Sequence, residues 1–239
     1  MRPRYAGLLL VAAFGCGETL PTGPPPAPDP SKSYYQTTFP LDESPIAEGG
    51  EWVNGQLLGL DWSDVRTNGQ GRAWGLQTGA QYADATALLT GSWPADQYAE
   101  ATVYLDVLGP PRCHQEVELR LRSTVGAHVN RGYEVYWQVG QTSTAYVAVA
   151  RWHGPFGQFL RIAKLMGTQY GVVTGDVVRA EIVGSTIRAY RNGVLLVQVT
   201  DTMWTDGAPG VGFNLENSQT GCPGTNADYG LTRFEAGSM

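Results

Sequence analysis

The stretch at residues 176–201 leaves a folding chain few choices. Val178, Ala180 and Ile182 alternate with Arg179 and Glu181, the period-two pattern of a strand with one apolar face. Gly184-Ser185 interrupts that run, and Ile187 and Ala189 then alternate with Arg188 and Tyr190. Asn192-Gly193 comes next, a dipeptide suited to a type I′ hairpin because both central residues of that turn need positive φ. Residues 194–199 return as a third strand. Strands joined by such short turns pair antiparallel, so the segment predicts a three-stranded meander.

The same texture recurs along most of the chain. Val117, Leu119 and Leu121 face one way, and Glu116, Glu118, Arg120 and Arg122 the other. Tyr133, Val135, Trp137 and Val139 oppose Glu134, Tyr136 and Gln138, while Val147 and Val149 oppose Tyr146, Ala148 and Ala150. Residues 101–107 and 211–215 are further strand candidates. No amphipathic helical run of useful length interrupts them. The 31 glycines and 12 tyrosines fit many short strands separated by turns. The expected fold class is therefore all-β, an antiparallel β-sandwich in one domain spanning residues 33–239.

Segment 175–193, GDVVRAEIVGSTIRAYRNG, resembles a recurrent meander of the concanavalin-like and laminin-G-like jelly rolls. Asp201, the GAPGVG run at 207–212 and the closing stretch 229–236 are similar to that superfamily as well. The resemblance implies that the closing strand returns beside the first, near residues 35–39. It covers nearly the whole domain, but its motifs are fold motifs. Lectins, glycoside hydrolases, polysaccharide lyases, adhesion modules and plain scaffolds share the fold, so it does not by itself select a function.

The N-terminus points to export. Arg2 and Arg4 precede an apolar run at residues 6–14 that is too short to span a bilayer, and it ends at Gly15-Cys16. This resembles a bacterial lipobox, in which the cysteine becomes lipidated and N-terminal. Ala13 stands where leucine is usual and Phe14 where a small residue is usual. The expectation is a signal peptide at 1–16 with lipidation at Cys16. Gly17 follows in place of Asp, which the resemblance links to an outer membrane or cell surface, with a secreted form as the alternative. Residues 17–32 are rich in proline and read as an extended tether. Of the three cysteines, lipidation of Cys16 leaves Cys113 and Cys222 as a pair. A bridge is expected there, with two free thiols as the alternative, and it would stabilise the fold by about 4–5 kcal/mol.

Function is argued from the polar face. A formal net charge of -6 without a basic run lacks the footprint of a nucleic-acid binder, which excludes that partner class. Sugar binding needs an aromatic platform and planar polar groups. If the alternation holds, the outward face of the central strands offers Glu118, Arg120, Glu134, Tyr136, Gln138 and Tyr146, with Trp152 at the end of the next strand. The expected activity is carbohydrate binding without catalysis, by a monomer that takes a glycan and touches membrane only through its lipid.

Cleavage of polysaccharide is the alternative, and a protein-adhesion or structural module using the same face is the second. Laminarinase-like hydrolases of this fold carry E-x-D-x-x-E on one strand. Here Glu116-Val-Glu118 runs into Leu-Arg120-Leu, and the third carboxylate is missing. Glu118-Leu-Arg120 resembles part of the arginine-bearing strand of alginate-lyase-like jelly rolls, whose other motifs are not visible. Of the three histidines, His114 and His153 are read as loop residues, and His128 would support catalysis only by converging with Arg120 and a Tyr. Laminin-G-like domains hold Ca²⁺ through carboxylates, but the loop residues Asp201, Asp206 and Asp228 lack ligand spacing, so no metal or other cofactor is assigned.

Overall fold

The computed structural model describes residues 32–59, 61–77, 83–106, 114–216 and 225–239. Six strands come first: β1 (Tyr34–Thr37), β2 (Trp52–Asn54), β3 (Val65–Thr67), β4 (Ala73–Gly75), β5 (Ala83–Leu89) and β6 (Gln97–Leu105). The long central strands are β7 (His114–Gly126), β8 (Val129–Gln138), β9 (Tyr146–Gly154) and β10 (Phe159–Met166). After them come β11 (Val177–Val183), β12 (Thr186–Arg191), β13 (Val194–Thr200), β14 (Ala208–Glu216) and β15 (Tyr229–Ser238). Among the described residues the only helices are single short turns.

These strands form two antiparallel sheets. The first has eight strands in the order β13-β12-β11-β6-β15-β4-β3, with β1 also paired to β15. The second has seven, in the order β10-β9-β8-β7-β14-β5-β2. The predicted meander is β11–β12–β13, with Ala180 opposite Ala189 and Ala189 opposite Val197. Its second turn has φ of 51° at Asn192 and 77° at Gly193, the left-handed pair that a type I′ hairpin requires. The closing strand does return beside the first, with Ala236 opposite Tyr35.

The core lies between the sheets. Val178, Ile182 and Ile187 from the first pack towards Leu119, Val135, Trp137 and Phe213 from the second. Burying each large side chain contributes about 1.5–3 kcal/mol, which makes this layer the main stabilising term. Arg122 ties the layers to the loops, since its guanidinium donates to the carbonyls of Ala95, Trp204 and Gly184 at 2.7, 3.0 and 2.8 Å.

The second sheet departs from the expectation of one dry and one wet face. Strand β11 alternates between buried and half-buried residues, as an antiparallel strand facing water does. In β7, residues 115–123 are buried without interruption. Its polar face is covered rather than solvated. The fully buried Trp62 packs edge-on against Trp152 and Phe156 at 5.6 and 5.7 Å, and on the edge strand β10 the Arg161 and Lys164 side chains reach Tyr136 and Tyr146.

At the start of the domain, the Lys32 backbone N–H donates to Ser92 O at 2.8 Å, and its ammonium reaches Glu51 and the Thr90 hydroxyl. The last residue assigned to the tether is thus held by the sandwich. The signal peptide, the rest of the tether, Cys16 and the pair Cys113 and Cys222 lie outside the described residues.

Candidate functional site

The covered face of the second sheet is organised by register. Glu118 on β7 sits opposite Tyr136 on β8 and Gly212 on β14. Arg120 sits opposite Glu134, and Glu116 is flanked by Gln138 and Asn214. Period-two alternation carries these side chains to one face, together with Tyr146 and Trp152 on β9. Every residue predicted for the site is therefore on the same face, as the alternation implied. None is surface-exposed: Arg120 is 0% exposed, Trp152 3% and Tyr136 4%.

Gly212 makes this packing geometrically permissible. A Cβ at that position would collide with Glu118 Oε2 and come within 3.0 Å of the Arg120 guanidinium. With no side chain on β14 there, Glu118 and Arg120 lie flat across the neighbouring strand. Arg120 donates from Nη2 to Glu118 at 2.6 Å and lies 2.5 Å from Glu134 through Nη1. The Trp152 indole N–H also donates to Glu134.

Above this floor a cleft of about 530 Å³ opens. Glu116, Glu134, Tyr136, Tyr146 and Trp152 line its base, with Asp84 and Asn214 on one side. Phe156, Phe159, Arg161 and Lys164 form the opposite wall, and His114 stands at one end. Glu118, Arg120 and Gln138 belong to the supporting layer rather than to the lining.

Burial sets the electrostatics. It pushes the Glu116 carboxyl up to about 7, against the opposing pull of hydrogen bonds from the Tyr146 hydroxyl and from Asn214 Nδ2, the latter at 2.8 Å. Burial, followed by the Glu134 charge, holds Glu118 and Asp84 well above the ordinary carboxylate range, although Arg120 opposes this. The Tyr136 and Tyr146 hydroxyls are raised by burial and stay protonated. The Tyr146 hydroxyl also lies 3.2 Å from His114 Nδ1. On the wall, Arg161 Nε donates to the Tyr136 hydroxyl at 2.8 Å, and the Lys164 ammonium sits 3.6 Å from the centre of the Tyr146 ring.

Carboxylate oxygens of Asp84, Glu118 and Glu134 all lie within 4.8 Å of one another, a spacing that suits a cation. Arg120 already supplies that positive charge by bonding two of the three, so the group reads as an internal ionic cluster. The loop carboxylates have structural duties. Asp201 accepts from the Tyr133 hydroxyl at 2.7 Å and pairs with Arg151, Asp206 lies 3.8 Å from Arg131, and Asp228 closes a capping box with Thr225. His128 is exposed and pairs with Asp61 at 2.7 Å, so it does not converge with the buried Arg120.

Sequence reasoning missed the far wall. Phe156, Phe159, Arg161 and Lys164 come from the β9–β10 connection and from β10, where a register shift between Arg161 and Ala163 breaks the alternation. A bulge inserts one residue and so erases the period by which a strand is recognised. His153, expected in a loop, lies instead in β9, and the turn follows at residues 155–157.

No protein-family model matches the chain, and no curated protein matches it either. Similar solved structures exist at low identity. A carbohydrate binding module, CBM66, from Bacillus subtilis aligns at 15% identity and TM-score 0.51, covering 70% of this chain and 92% of that one. The exoplasmic/lumenal domain of VIP36 aligns at 7% identity and TM-score 0.57, covering 85% and 87%. A glycoside hydrolase family 16 endo-glucanase from Bacteroides ovatus aligns at 10% identity and TM-score 0.51, covering 84% and 99%. The chain has the concanavalin-like jelly-roll fold that these structures share.

Proposed function

We propose that this chain binds glycan in the cleft over β7–β10 and does not cleave it. The cleft itself carries the reading. Its volume of about 530 Å³ falls in the range of small-ligand sites. Phe156 and Phe159 offer apolar faces at its wall, and Asn214, Glu134 and Arg161 offer planar hydrogen-bonding groups. Pyranose rings are held by this combination, with stacking on one face and paired hydrogen bonds at the hydroxyls. A carbohydrate binding module and a Man2-bound VIP36 domain among the similar structures support it. Of the predicted residues, Glu134, Tyr136, Tyr146 and Trp152 line the proposed site; Glu118 and Arg120 lie beneath, with Arg120 paired to Glu134, and Gln138 is buried beside Glu116.

A glycan array followed by titration calorimetry tests this. Binding to at least one glycan class is expected, weakened about tenfold by Phe159→Ala. Absence of binding across the array, or unchanged affinity in the variant, would remove the site.

One observation favours a second reading, cleavage. Glu116 lines the cleft with its carboxyl pushed up to about 7, a value suited to proton transfer near neutral pH. Assays for new reducing ends and for unsaturated products on polysaccharides separate the readings. Product formation abolished by Glu116→Gln would favour the enzyme.

The proposal extends to the whole chain as an exported protein, lipidated at Cys16 and carried on the proline-rich segment. Its support is the basic, apolar and cysteine order of residues 2–16. Metabolic labelling with a fatty-acid analogue should mark the native chain and not Cys16→Ala. A Cys113–Cys222 bridge is proposed on cysteine arithmetic and on one register. His114, next to Cys113 in sequence, is opposite Glu216, and Cys222 follows shortly after. Peptide mapping without reductant should recover the two cysteines in one linked species.

A further inference from the structure

The cleft wall carries two cations that pair with no carboxylate among the described residues, although the Glu116 charge acts on both. Most arginines of the sandwich rest on a carboxylate, from Arg66 on Asp42 to Arg233 on Glu235. Arg161 and Lys164 form no ion pair with a carboxylate among the described residues. Arg161 gives its Nε to the neutral Tyr136 hydroxyl, and Lys164 sits over the face of Tyr146. Both line the cleft.

Their common direction is built by the backbone. Residues three apart on a regular strand point to opposite faces. Here the pairing jumps from Arg161 opposite Ala150 to Ala163 opposite Val149, so that Lys164 falls opposite Ala148. The extra residue, Ile162, restores the parity, and both cations lie on the cleft face. Ala148 and Ala150 beneath them are small, which leaves room for long side chains to lean over the floor.

The floor offsets this charge only in part. Glu134 is taken by Arg120, and Asp84 and Glu118 are pushed by burial towards their neutral forms. Glu116 accepts from Tyr146 and Asn214, and its charge acts on both wall cations without pairing with either. The wall presents a planar guanidinium beside a point-charge ammonium, two positive charges facing Glu116 alone among the carboxyls that act on both. That is the pair of groups with which proteins hold carboxylates and sulfates.

We propose that the cleft selects glycans bearing an anionic substituent, a uronate carboxylate or a sulfate ester, and seats that group between Arg161 and Lys164. This rests on the glycan-binding reading and names the chemical class of its ligand.

The test uses the full chain against uronate-containing oligosaccharides, their carboxyl-reduced counterparts and sulfated neutral oligosaccharides, with affinities measured by calorimetry at low and high salt. The expected result is binding of an acidic member at least about tenfold tighter than its neutral counterpart, with the advantage shrinking in high salt. In the double variant Arg161→Gln with Lys164→Gln, this preference should vanish, so that acidic and neutral members bind with equal affinity. The uronate and sulfate arms identify which anion is taken. Equal affinity for acidic and neutral members, or a preference that survives the double variant, overturns the inference and leaves glycan binding standing. No binding to any member overturns both.

Discussion

Arg120 has no exposed surface, donates to Glu118 and forms an ion pair with Glu134. Arg120→Met should therefore cost about 3–5 kcal/mol in urea unfolding near pH 7, because it strands buried carboxylates without a counter-charge. Glu116 has the opposite relation to its surroundings. The folded chain keeps this proton up to about pH 7, whereas the unfolded chain releases it near the ordinary value of 4.5. Between those values the unfolded state binds fewer protons, so stability falls as pH rises and the penalty is complete above the folded value. Asp84 and Glu118 shift in the same direction. Denaturant titrations from about pH 5 to about pH 8 should show that decline, with Glu116 contributing on the order of 3 kcal/mol at most. Glu116→Gln should flatten the curve. A steeper curve in that variant would mean that the carboxyl is not the group being titrated.

At the level of strands, glycines hold two of the critical junctions. Gly193→Ala places a side chain at φ of 77° and should cost about 1–2 kcal/mol, with faster amide exchange in β12 and β13 than elsewhere. Gly212→Ala should cost about 1–3 kcal/mol by overpacking against Glu118, and it should weaken ligand binding by displacing the cleft floor. The two positions differ in how visible they are from sequence. Asn192-Gly193 declares its turn, since local backbone needs are written locally. Gly212 looks like any small residue in a strand, because its reason lies on β7. The faces of β7, β8, β9 and β11 were legible from alternation alone. Strand β10 was not, since its bulge hides the period, and its wall of the site went unseen with it.

Taken as a whole, the molecule keeps its apolar core between two sheets and a second, polar interior behind one of them. That second interior was not legible because alternation tells which residues share a face and says nothing about what covers it. Trp62 arrives from the β2–β3 connection, distant in sequence, and meets Phe156 from the turn after β9. The continuous burial of residues 115–123 has a consequence for how this protein tolerates change. In a saturation-mutagenesis library selected for folded protein, β11 should show sensitive and permissive positions in strict alternation. Strand β7 should show no permissive phase, with apolar replacements rejected at Glu118 and Arg120 as firmly as polar ones at Leu119. Natural variation in this chain would then be confined to the first sheet's outer face and the loops, and the polar interior would drift only by paired exchange of charges.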